Sequence, residues 1–348
     1  LLLFFKKDVL SSCPMRWLFF SCVGVLALGA FAVLGARHVY RTPGPLTRAT
    51  IVVIPHGGLD SIAETLTRAG VIRTPLFFKA AALSTGAAGA LRAGELNFPA
   101  AASLATVLDT LRFGRPIQHF VTIPEGLTAA QISTILAHAD GLTGDLTVPP
   151  EGSILPDTYA YTRGTLSTAI VTRAQRAMDR TLAADWASRS AGLPLHNQHE
   201  ALILASIVER EAKLPPERAM IARVFLNRLA AHMRLQADPT ALYGATGGTF
   251  VLDRPLAHDD LARNDPYNTY MADGLPAGPI CSPGAAALAA VTHPAAGDAL
   301  YFVADGTGGH VFATSLATHN ENVSRLAGRR ADKPLRHPPS QLARRQSG

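Results

Sequence analysis

"ALILASIVEREAK", residues 201–213, is the stretch on which the reading of this chain turns. An apolar run leads into two glutamates, Glu209 and Glu211. Asn197 stands at a capping position and Glu200 follows three residues later, the spacing of a capping box. Leu214-Pro215-Pro216 ends the pattern, because proline cannot donate the next backbone hydrogen bond. The spacing predicts a helix. At ~3.6 residues per turn, side chains two apart point to nearly opposite sides, so the glutamates cannot share one environment. Glu211 extends the stripe Leu204, Ile207, Val208, whereas Glu209 extends Leu202, Ala205, Ser206, a smaller and more polar face. A carboxyl on the bulkier stripe is the one expected to be desolvated, which raises its pKa toward that of a proton donor. A second reading stays open at this point: Glu211 ends an amphipathic helix and reaches water.

Outward from this helix the chain divides. Upstream, "VVIPHGGLDSIAETL" (52–66) is echoed by "VTIPEGLTAAQISTIL" (121–136). Each reads as a β-branched strand, Ile-Pro, a glycine turn and a helix, so two small βα units or two routine strand-to-helix turns are expected. Between them lie a helix near Leu76 to Leu83, a short strand in "AGELNF" (93–98) and a helix from Ser103 to Arg112. "PPEGSILPDTYAYTRGT" (149–165) is a shaped loop, and 166–190 reads as a helix. "PERAMIARVFLNRLAAHM" (216–233) reads as another helix. Past residue 233, three stretches are rich in Gly, Pro, Asn, Thr and Tyr, residues that shape turns and carry hydrogen-bonding groups. "LYFVA" and "HVFATS" read as a hairpin across 305–309. Rings and amides in a loop such as 267–270 suit a sugar site, and turn chemistry explains the same residues.

Composition narrows the function. Of a formal charge of +6, five belong to the segment from Arg329 to Gly348, which holds six Lys or Arg and one acid. The body is therefore nearly neutral, and nucleic-acid binding is not expected. The Pro-rich tail lacks aromatics and periodicity and reads as disordered. The 20 residues Trp17 to Ala36 carry no charge, the length needed to cross a bilayer. A single-pass anchor with its N-terminus inside is expected; "AFA" (30–32) leaves open a cleaved signal, and Met15 a later start. Three cysteines make no disulfide framework, and "HNQHE" (196–200) matches no zinc motif, so neither metal nor cofactor is expected. No GxSxG elbow, SxxK or phosphate loop is present, which leaves carboxylate acid–base work as the economical enzyme hypothesis.

Seven motifs occur in order: "ASIVEREA" (205–212), Glu217-Arg218, "VFLNRL" (224–229), "MRLQADPT" (233–240), "PYNTY" (266–270), "GLPAGPICSPG" (274–284) and "YFVADGTGGHVF" (301–312). The set resembles the endolytic murein transglycosylases of the YceG-like family, over about residues 50–326. The resemblance implies an α+β protein. Its parts would be a cytoplasmic segment (1–16), a transmembrane helix (17–36), a linker (37–50), a LysM-like βα module (51–140), a catalytic domain (141–326) and a basic tail (327–348). It implies an inner-membrane enzyme whose catalytic domain lies on the periplasmic side. That enzyme would cut the β-1,4 bond between N-acetylmuramic acid and N-acetylglucosamine in nascent peptidoglycan strands. The product would be 1,6-anhydro ends, and penicillin-binding synthases are implied as partners. The family's catalytic glutamate falls in "ASIVEREA"; Glu211 is the expected acid and Glu209 the fallback. By the same resemblance Gln236, Asp238, Tyr267, Asn268, Thr269 and Tyr270 line the glycan cleft, with Asp157, Thr158 and Tyr159. The family's aromatics ahead of "PDTY" are replaced here by Ser153, Ile154 and Leu155. A non-catalytic peptidoglycan-binding scaffold is the alternative, and a hydrolase of the same bond a third reading.

Overall fold

The computed structural model describes residues 14–331, which fall into two compact units. The expectations for the chain start, 1–13, and for the tail from 332 to 348 lie outside the described residues.

The first unit runs to His119 and takes in Thr162–Gly164. It opens with α1 (Pro14–Arg41), of which Val23–Arg41 is long and apolar enough to cross a membrane. Then come β1 (Thr50–Ile54), α2 (Leu59–Arg68), α3 (Pro75–Ser84), β2 (Gly94–Phe98) and α4 (Leu104–Phe113). β1 and β2 pair antiparallel with Val52 opposite Leu96. The alternation of β1 turns Val52 and Ile54 inward and leaves Ile51 and Val53 outside, as a sheet with one covered face requires. Leu66, Phe78, Leu96, Phe98 and Leu108 fill the core beneath it. Ser103 caps α4 by accepting from Thr106 N. Residues 37–50, expected as a linker, contain the last turn of α1 and a stretch held by backbone bonds. Gly44 N donates to Ala101 O at 3.1 Å, and Ala101 N donates to Leu46 O at 2.8 Å.

The second unit comprises Phe120–Tyr161 and the chain from Thr165 onward. Its elements are β3 (His119–Thr122), α5 (Ala129–Ala137), β4 (Thr158–Tyr161), α6 (Ser167–Ala187), α7 (Gln198–Glu211) and α8 (Arg218–Ala230). They continue with α9 (Asp238–Thr246), α10 (His258–Leu261), α11 (Ala285–Thr292), β5 (Tyr301–Ala304), β6 (His310–Ala313) and α12 (Leu316–Ala331). β3 pairs with β4, and β5 with β6 in the register Tyr301↔Ala313. The second echo, 121–136, thus belongs to this unit. Thr128 and Gln131 form a full capping box at the start of α5.

α7 is the axis of this unit, packed on α6, α8, α9 and α11. Residues 201–208 are all buried, so the helix is enclosed on every side rather than amphipathic. Its smaller face, Ala205 and Ser206, is not open to solvent because the segment 279–282 lies across it. Ser206 Oγ accepts from Ile280 N at 3.0 Å, and the Cys281 thiol donates to Ser206 O at 3.2 Å. Asn197 caps α7 by accepting from Glu200 N, and the Glu200 carboxylate reaches one residue further back, to His196 N. Helical geometry stops at Ala212, which is extended (ψ 101°). Glu211 is therefore the last residue of the helix.

Candidate active site

The two glutamates separate by their partners. The Glu209 side chain is only 5% exposed, its Oε1 lies 3.1 Å from Arg218 Nη2, and its Oε2 accepts from Gly284 N at 3.0 Å. Arg218 also reaches Glu125 at 3.2 Å. Glu209 is thereby a charged tie between α7, α8 and the start of α11. Both oxygens of this carboxyl are thus taken up by partners within the fold. The Glu211 carboxyl, among the described residues, takes part in no hydrogen bond and no ion pair. Burial raises its pKa to about 7, with the nearby charge of Asp238 adding to the rise and Lys213 and Arg228 opposing it. Its place at the carbonyl end of α7 acts in the same direction, since that end of a helix disfavours negative charge. The contrast drawn from the sequence, a bulky buried face against a small polar one, does not hold, because both faces of α7 are covered. What distinguishes Glu211 is the absence of a counter-ion in contact.

Asp238 of α9, Arg228 of α8 and the loop residue Tyr270 surround this carboxyl electrostatically. Asp238 begins α9 and accepts from Tyr270 Oη at 2.6 Å. Burial and then that hydrogen bond raise the Tyr270 phenol, so it stays protonated. Arg228 of α8 is buried, with Nε donating to Leu300 O at 2.7 Å and Nη1 to Leu235 O at 2.8 Å. Its Nη2 is left without an acceptor among the described residues. The guanidinium lies 5.3 Å from the centre of the Tyr301 ring, which in turn stacks with His319 of α12 at 5.3 Å. Burial, then Arg228, lowers the pKa of His319, favouring the neutral ring.

The expected cleft residues divide into three groups. Asp238 and Tyr270 belong to the Glu211 cluster. Gln236, exposed beside it, has a left-handed backbone (φ 50°) and donates its N–H to Thr269 O at 3.2 Å. Asn268 and Thr269 lie beneath the surface, 1% and 0% exposed. Asn268 Nδ2 donates to Leu261 O and Arg263 O at 2.9 and 2.8 Å. Thr269 Oγ1 accepts from Ala237 N at 3.0 Å. Their side chains shape the loop and tie it to the segment before α9. Tyr267 joins a different cluster, its ring 4.7 Å from that of Tyr243, whose hydroxyl meets Glu151 at 3.3 Å. Asp157 and Tyr159 are not among the groups that act on Glu211. Asp157 accepts from Thr158 N, and Tyr159 Oη donates to Leu155 O at 2.6 Å. Ile154 is fully buried, so an aromatic missing from this segment is a change in packing.

Sequence reasoning missed Arg228. The signal was available: Ile221, Phe225 and Arg228 share the i, i+4, i+7 stripe of α8, and a cation on an apolar stripe asks for a reason. Among the described residues no group of three or more His, Cys, Asp or Glu is placed to hold a metal ion.

A desolvated, unpaired carboxyl flanked by one anion and two cations is the kind of group from which acid–base sites are built, which makes Glu211 the candidate here. Residues 52–325 match the YceG-like family, and the chain belongs to it. Two similar proteins are both named endolytic murein transglycosylase. That of Bacillus subtilis (strain 168) is 29% identical over 313 residues, covering 80% of this chain and 85% of its own. That of Streptococcus pneumoniae serotype 2 (strain D39 / NCTC 7466) is 29% identical over 321 residues, covering 78% of this chain and 57% of its own. The crystal structure of a yceG-like protein from Listeria monocytogenes is 28% identical with a TM-score of 0.49, over 79% of this chain and 98% of that one.

Proposed function

We propose that this protein is an endolytic lytic transglycosylase of peptidoglycan, anchored in the cytoplasmic membrane by α1. Its substrate is the β-1,4 bond between N-acetylmuramic acid and N-acetylglucosamine in nascent strands. Glu211, neutral, gives its proton to the glycosidic oxygen as the bond to the muramyl anomeric carbon breaks. The resulting carboxylate takes the proton of the muramyl C6 hydroxyl, whose oxygen closes on the anomeric carbon. The products are a 1,6-anhydromuramyl end and a free N-acetylglucosamine end, with no water consumed and the acid restored. Because one group serves in both steps, the paired carboxylates of ordinary glycoside hydrolases are not required.

The neighbours of Glu211 suit both halves of this cycle. Asp238 and the helix end favour the protonated form that starts it. Arg228 and Lys213 steady the carboxylate that appears midway. Tyr270, held by Asp238, and the exposed Gln236 are the proposed glycan contacts, with Tyr267 at the margin. The first unit, with its strand–helix–helix–strand order, is proposed as a LysM-like module that holds glycan, and peptidoglycan synthases are the proposed partners. The observation that carries the reading is the unpaired Glu211 carboxyl beside a fully paired Glu209.

The test is product analysis. The full chain, incubated with uncrosslinked glycan strands, is expected to release fragments with anhydro ends cut from within the strand. Reducing ends, one water heavier, assign a hydrolase. Binding without cleavage assigns a scaffold.

A further inference from the structure

α3, "PLFFKAAALS", is apolar apart from Lys79 and Ser84. Phe78 and Ala82 fill the core of the first unit, yet Leu76, Phe77 and Leu83 are 66%, 51% and 66% exposed. The single charge of the helix, Lys79, is paired with Asp60 at 2.8 Å. A helix apolar all round is ordinarily enclosed, and a contiguous apolar patch left open marks an interaction surface.

The neighbourhood of this face identifies its occupant. Phe77, Ala80 and Ser84 of α3 form one wall of an open groove of about 730 Å³, and Phe31, Gly35 and Ala36 of α1 form the other. Those α1 residues belong to the uncharged run that ends at Ala36. Phe31 lies five residues inside that end, or about 7.5 Å at the helical rise of ~1.5 Å per residue. Helices lying in a membrane interface bury their apolar face by about 5–10 Å. The unit is not free to swing away from this level: α1 runs unbroken to Arg41, Tyr40 packs on the core, and Gly44 is bonded to Ala101. A second groove, sharing Val39, Phe77 and Leu104 with the first, carries His38 and Arg73 beyond the apolar run.

We propose that the outer face of α3, Leu76, Phe77, Ala80 and Leu83, lies in the lipid of the same leaflet that α1 leaves, as a second and monotopic membrane contact. This rests on the reading of α1 as a membrane span. It fixes the first unit against the bilayer surface instead of leaving it on a flexible tether.

The test uses the full chain in lipid bilayers, with Cys13 and Cys22 replaced by Ser and Cys281 left in the core. Nitroxide labels are placed singly through Leu28→Cys, Phe77→Cys, Leu83→Cys and, on the exposed side of α2, Glu64→Cys. Labels at 77 and 83 are expected to match that at 28: collisions with oxygen retained, collisions with a water-soluble nickel chelate lost. The label at 64 keeps both. Nickel access at 77 and 83 equal to that at 64, with 28 still shielded, overturns the proposal and leaves the span intact. Nickel access at 28 as well overturns the span and the proposal together. Dipolar broadening between labels at 77 or 83 shows a second copy on this face and also overturns it.

Discussion

Two carboxyls two positions apart on one helix stand in opposite surroundings. Glu209 is tied to Arg218 and to a backbone N–H. Removing half of an enclosed ion pair leaves the other charge stranded and costs about 3 kcal/mol. Glu209→Gln is therefore expected to lower the melting temperature while leaving the pH profile of cleavage in place. Glu211→Gln is expected to do the reverse. Loss of a general acid removes about 10²–10⁴-fold of rate, so cleavage should fall by that factor. Stability should rise at alkaline pH, with a definite sign. The folded-state pKa of Glu211, about 7, lies above its ordinary 4.5, so the folded protein holds this proton more tightly than the unfolded chain. Its contribution to stability declines as pH rises from 4.5 through 7, by up to about 3 kcal/mol for a partly enclosed group. Thermal melts of the two proteins should coincide near pH 4 and separate by pH 8, the Gln variant being the more stable. Equal melting temperatures at pH 8 contradict this account. The sequence offered Glu211 on a contrast of helix faces that the enclosed α7 does not keep; the ion pair of Glu209 with Arg218 spans nine residues across the Pro215-Pro216 break, and its bond from Gly284 N spans 75, so neither has the signature of a regular helix.

At the scale of elements, the site depends on the relation of α7, α8 and α9. Their charges act on Glu211 with opposite signs, which gives paired predictions. Asp238→Asn removes a charge that raises the Glu211 pKa, so the alkaline limb of the rate profile should move to lower pH. Arg228→Met removes one that lowers it, and the limb should move to higher pH as the midway carboxylate loses support. Arg228→Lys, which keeps the charge, should return the limb toward its original place even if the lost backbone bonds lower stability. Limbs unmoved in both variants reduce these residues to structural parts. Gly284 is a second element-scale test: a Cβ there would overlap the Glu125 carboxyl, while its N–H serves Glu209. Gly284→Ala should push the half-exposed Glu125 carboxyl aside and break its contact with Arg218, lowering the melting temperature only slightly, while Glu209 keeps both of its partners. Most elements themselves were legible, because strand alternation, Ser and Thr caps and proline stops are local. The burial of Asn268 and Thr269 was not, since "YNTY" reads equally as a polar ligand loop and as a loop stapled to its neighbours by amide and hydroxyl bonds.

At the scale of the whole molecule, the sequence made the apolar N-terminal run and the mixed α+β character plain, because length and composition carry both. The assignment of the second βα echo to the second unit was not visible, since nothing in "VTIPEGLTAAQISTIL" encodes that its strand pairs with Thr158–Tyr161. The proposed function joins the apolar N-terminal helix and the acid in one chain, and the account rests most heavily on the acid. Its most direct test is titration of Glu211 in the full-length protein carrying carboxyl-labelled glutamate, with Glu211→Gln identifying the signal by its loss. A midpoint near 7 is predicted, tracking the alkaline limb of cleavage. A midpoint near 4.5, with cleavage continuing above it, contradicts the claim that this carboxyl is the proton donor.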